Sequence, residues 1–87
     1  MTDSTITFVC WEKDEPLEIQ LEPECFLFKV LPGNELTFKG IPLGDKPFEW
    51  ALRVDRHGVQ LIPDHWPYEI KVFENGMLLE DWYKYMR

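Results

Sequence analysis

The stretch YEIKVFENGMLL, residues 68–79, decides the fold. Tyr68, Ile70 and Val72 alternate with Glu69 and Lys71, a period of two that belongs to a half-buried strand. Asn75-Gly76 follows, the dipeptide that most favours a two-residue type I′ turn, because both central residues need positive φ. A turn there sets Phe73 opposite Leu78, Val72 opposite Leu79 and Lys71 opposite Glu80. Two apolar pairs and one pair of opposite charge then fall in register.

The same period runs back through the chain. Ile6, Phe8 and Cys10 share one face, with Thr5 and Thr7 on the other. Leu17, Ile19 and Leu21 alternate with Glu18 and Gln20; Phe26, Phe28 and Val30 form one face, with Lys29 turned away. Leu36 and Phe38 alternate with Thr37 and Lys39; Phe48, Trp50, Leu52 and Val54 alternate with Glu49, Ala51 and Arg53; Val59 and Leu61 bracket Gln60. Such an in/out pattern is what antiparallel sheets with one wet face show. The turns agree with it. "PGN" at 32–34 calls for positive φ at Gly33, and "DRHG" at 55–58 reads as a short hairpin loop closed by Gly58.

Prolines at 16, 23, 32, 42, 47, 63 and 67 interrupt every helical window except the tail. In the tail a strand over 77–81 is expected, then at most a single helical turn. Segment 41–47, "IPLGDKP", is the longest connection. Short connections make sequential strands neighbours. The sequence therefore predicts one all-β domain over residues 1–87, mostly antiparallel. Seven or eight short meandering strands would close into a small barrel or fold into a two-layer sandwich.

Eighty-seven residues bury only about 60–65% of the unfolded chain's surface. The 15% aromatic content supplies much of the core, since each ring hides roughly 150–250 Å². The N-terminus has neither a basic flank nor a long apolar run, and no stretch approaches the ~18 apolar residues of a membrane span, so a soluble cytoplasmic protein with no membrane association is expected. The two cysteines are then expected as free thiols.

The net charge of −7 is uneven: residues 12–24, "EKDEPLEIQLEPE", set six carboxylates against Lys13 alone and carry −5 of it. Direct nucleic-acid binding needs a basic footprint and is not expected. An acidic run suits a basic partner surface, or a mimic of nucleic acid, and it also keeps a small protein soluble.

No motif points to a catalytic centre. "DHWPY" at 64–68 sets Asp64 beside His65, but neighbours in a strand point apart, and in a turn Asp64 caps a backbone N–H instead. Trp66-Pro67 then packs over the end of the fold. Cys10 faces inward; Cys25 follows Glu22 and Glu24, a negative setting that suppresses its thiolate. The spacing of Cys10, Cys25, His57 and His65 lacks the close pairs of a zinc site, and neither a calcium loop nor a glycine-rich phosphate loop is present. No metal and no cofactor is indicated.

Three expectations follow. The first is a non-enzymatic acidic interaction module, such as an inhibitor, an immunity-type protein or an accessory subunit. It would bind a protein partner with a basic surface through Trp11, Glu12, Asp14, Glu15, Glu18 and Glu22. The second is a small-molecule-binding barrel or small enzyme with its site near His57, Asp64, His65, Trp66 and Tyr68. The third is a structural homo-oligomer with no separate ligand, in which an open sheet edge pairs with a second copy, as a homodimer for instance.

Overall fold

In the computed structural model, residues 3–22, 26–56 and 58–82 are described. They form eight strands and no helix: β1 (Ser4–Val9), β2 (Leu17–Leu21), β3 (Phe26–Val30), β4 (Glu35–Pro42), β5 (Glu49–Asp55), β6 (Gly58–Asp64), β7 (Tyr68–Glu74) and β8 (Met77–Leu78). No helix is therefore long and apolar enough to cross a membrane. The all-β fold read from the alternation is the fold observed.

The strands lie in two four-stranded sheets, ordered β1-β4-β7-β8 and β3-β2-β6-β5. Their inner faces pack against each other as a sandwich. Phe28 of the second sheet meets Phe38 of the first edge-to-face, with centroids 5.2 Å apart, and Phe38 in turn meets Trp50 at 6.4 Å. Around these rings Ile19, Leu21, Leu36, Leu61 and Val72 are fully buried. On the outer face, the Thr7–Thr37 cross-strand pair closes with a hydroxyl–hydroxyl bond of 2.9 Å.

The chain is a meander only locally. The hairpins β2–β3, β5–β6 and β7–β8 join neighbours, but β4 sits between β1 and β7, and β2 pairs with β6 in parallel. Residues 31–34 and 43–48 are crossings between sheets, not turns within one. The terminal hairpin has the expected geometry: Asn75 and Gly76 hold φ of 50° and 81°, Phe73 pairs with Leu78, and the Leu79 N–H donates to the Val72 carbonyl at 2.8 Å. Pairing ends earlier than 81, however. After the Leu79–Val72 bond the chain leaves the ladder and Trp82 packs edge-to-face with Phe26 and Phe28, so the Lys71–Glu80 pair does not form part of the sheet. The helical turn considered for the tail falls partly on residues 83–87, outside the described residues.

Two glycines mark close approaches. A Cβ on Gly40 would overlap the ring of Phe48, which lies flat on that bare stretch of β4. Gly58 begins β6 at φ 148°, and a Cβ there would overlap the Glu18 carbonyl oxygen of β2. The parallel β2–β6 pairing thus depends on a residue with no side chain. Gly58→Ala is expected to lower stability by more than about 2 kcal/mol, from backbone strain and overpacking together. Gly76→Ala, with nothing within 4 Å of the added carbon, should cost only the left-handed penalty of about 1–2 kcal/mol. Urea unfolding of the two variants checks the difference, and equal losses would contradict the close approach at Glu18.

Candidate functional site

At one end of the sandwich three turns meet. β1 delivers Cys10 inward, where it is buried, and Trp11 outward, where it is 72% exposed. The next turn closes on itself: the Asp14 N–H donates to the Trp11 carbonyl at 2.9 Å, and the Trp11 N–H donates to Asp14 Oδ2 at 3.2 Å. The Cys10 thiol donates to the Glu15 carbonyl at 3.3 Å. The second turn is laced to the first, with Gly33 N–H donating to Cys10 O at 2.7 Å and Cys10 N–H to Asn34 O at 3.0 Å.

The third turn, at Asn75, locks onto the start of β4. Its N–H donates to the Glu35 carbonyl at 3.0 Å, its Oδ1 accepts the Glu35 N–H at 2.9 Å, and its Nδ2 donates to Asn34 Oδ1 at 3.0 Å. Between the turns lies an open groove of about 750 Å³, lined by Val9, Trp11, Glu12, Glu35, Asn34 and Asn75 among others. Its surface is mainly apolar, it includes the carboxylates of Glu12 and Glu35, and its floor is held by backbone and amide hydrogen bonds. Lys13 is the cation on its rim.

The six residues expected on one acidic face separate into three places. Trp11 and Glu12 line the groove, and Asp14 and Glu15 belong to the same loop. Glu18 stands on the outer face of the second sheet, beside Gln20, Arg53 and Gln60 in a smaller depression of about 270 Å³. Glu22 lies past the other end of β2, where its carboxylate accepts from Gln20 Nε2 and its N–H donates to the Leu61 carbonyl at 2.9 Å. Sequence reasoning missed Val9, Asn34, Glu35 and Asn75. The two turns were legible as turns, but nothing local marks that β4 brings them together beside Trp11.

The residues around 57 and 64–68 lie elsewhere, and His57 is outside the described residues. Asp64 does cap a backbone group: its Oδ1 accepts the His65 N–H at 2.7 Å. The His65 imidazole pairs instead with Glu49, Nε2 to Oε2 3.2 Å. Glu49 faces Asp64 across the β5–β6 hairpin, so the register of "DRHG" was the signal that could have found it. Trp66 is 77% exposed and touches Tyr68 edge-on at 5.2 Å, and Tyr68 touches Phe48 at 5.5 Å. The ring of Trp66 therefore stands out from the end of the fold and does not cover it. Cys25 lies outside the described residues, and among those described no three of His, Cys, Asp and Glu cluster as a metal site.

Comparison with protein-family models, with curated proteins and with solved structures finds no match to this chain.

The floor of the groove depends on the Asn75 side chain, which makes two of its hydrogen bonds. Asn75→Gly keeps the turn and removes both, and is expected to cost about 1–2 kcal/mol in urea unfolding. Asn75→Ala adds the left-handed strain, roughly 1–2 kcal/mol more.

Proposed function

We propose that the protein is a cytoplasmic, non-enzymatic interaction module that takes a basic segment of a partner protein in the groove beside Trp11. The observation that carries this reading is a groove lined together by a largely exposed tryptophan, Val9, Glu12 and Glu35, beside turns tied by hydrogen bonds. An indole in a concave, partly apolar setting is an anchor of the kind that dominates binding energy. Carboxylates at the rim select a basic partner and speed its approach. The preformed floor lowers the ordering cost of binding. The excess acid of the same loop, Asp14 and Glu15, extends the negative field beyond the groove.

Selection from a library of displayed peptides tests it. The selected sequences are expected to carry Lys or Arg flanking an apolar residue, and to bind less tightly as salt rises. Trp11→Ala should weaken them at least about 30-fold, the level of a hot-spot residue. Glu12→Gln with Glu35→Gln should flatten the salt dependence. Peptides without basic residues, or affinity indifferent to Trp11→Ala, would refute the proposal.

A further inference from the structure

Four strands end the two sheets: β1, β8, β3 and β5. β8 is only two residues long. β1 and β3 turn Ile6, Phe8, Phe26 and Phe28 into the core or against it. β5 differs. Its inward positions begin with Trp50, whose Nε1 donates to the Ser4 carbonyl of β1 at 3.2 Å. Beyond that point the opposite sheet does not cover them: Leu52 is 48% and Val54 72% exposed, although both have the parity of the core. The strand carries no proline and no inward-pointing charge, the usual protections of an edge.

The backbone of β5 faces outward at the same three residues. In an antiparallel pair, hydrogen-bonded and non-hydrogen-bonded positions alternate. A two-residue loop closes on the Asp55–Gly58 pair, so Asp55, Arg53, Ala51 and Glu49 turn their backbone groups to β6. Trp50, Leu52 and Val54 turn theirs to the free edge. Pro63, which has no N–H, fits this alternation, since it lies opposite Trp50 at a position that makes no bond to β5.

We propose that β5 pairs with β5 of a second copy, antiparallel about a two-fold axis through Leu52. This register sets Leu52 against the partner's Leu52 and Trp50 against the partner's Val54 on both sides of the axis. All three positions have free backbone groups, so the ladder continues across the interface. On the outer face Arg53 lies diagonally from the partner's Glu49, within reach of an ion pair. Glu49 falls opposite the partner's Asp55, a like-charge pair that Arg53, 3.7 Å from Asp55 of its own chain, partly offsets. A register centred on Arg53 would instead set two arginines face to face and bring only Leu52 and Val54 together. The self-complementarity of the strand, rather than its apolar exposure alone, selects a second copy as the occupant. One strand edge is a small interface, so the dimer is expected to be reversible.

Sedimentation of the full chain between about 1 and 500 μM tests the pairing, because a small interface dissociates within such a range. The expected result is a monomer at the low end and a dimer at the high end, not weakened by salt. Val54→Lys, at an exposed site, should keep the circular dichroism of the fold and abolish the dimer. Register is read by oxidation in a Cys25→Ser background: Leu52→Cys should cross-link to its own copy, and Arg53→Cys should not. A monomer throughout, a dimer indifferent to Val54→Lys, or cross-linking at 53 in place of 52 would each overturn the proposal.

Discussion

The contact that the fold depends on is the edge-to-face meeting of Phe28 and Phe38. Both rings are fully buried, one from each sheet, and together they bridge the two layers. A chain of rings runs outward from them. Trp82 and Phe26 close one side, and Trp50, Phe48, Tyr68 and Trp66 continue to the other end, each ring meeting the next nearly edge-on. Removing a buried phenylalanine side chain costs about 3–5 kcal/mol, against a total stability of order 5–10 kcal/mol for a chain of this size. A sandwich this thin survives on large rings. Gly40 follows from the same constraint, because Phe48 reaches the inner layer only where β4 has no side chain.

That dependence explains which features were legible in the sequence. Alternation says which face a residue takes, and it placed Ile6, Cys10, Ile19, Phe28, Phe38 and Val72 inward. Turn chemistry fixes local register, and Asn75-Gly76 did so through the Val72–Leu79 bond. Strand order has no local mark. The β1–β4 and β4–β7 ladders and the parallel β2–β6 pair join segments up to dozens of residues apart, and the only trace of the last is the glycine at 58, which also reads as an ordinary hairpin residue. Parity is silent as well on whether a facing sheet extends far enough to cover a residue. Leu52 and Val54 have core parity and remain exposed because β5 is the outermost strand and runs past its cover.

The candidate groove was half legible for the same reason. Trp11 stood out as an aromatic of the wrong parity beside acids, a local reading. Its neighbours across the groove, Glu35 and Asn75, come from β4 and the last hairpin. The acidic run was likewise visible as composition but not as a surface. A strand with one side turned inward passes through its middle, so Glu18 emerges on the outer sheet face and Glu22 beyond the far end of β2. Among the described residues of the run, the charges become separate small fields, and the N-terminal part adjoins an apolar wall.

The two proposed surfaces answer differently to charge. A net charge of −7 per chain opposes self-association, the more so if the acids lie near the contact. In the second sheet β6 separates β2 from β5, so the carboxylate of Glu18 stands about two strand spacings, roughly 10 Å, from the free edge, a distance comparable to the Debye length at physiological salt. Salt therefore acts oppositely on the two: it screens the attraction of a basic segment to the groove, and it relieves the like-charge repulsion between two chains whose contact is mainly apolar and backbone. An edge whose contact is mainly apolar side chains and backbone is the arrangement that lets an acidic protein pair with itself and still present its acids to something else.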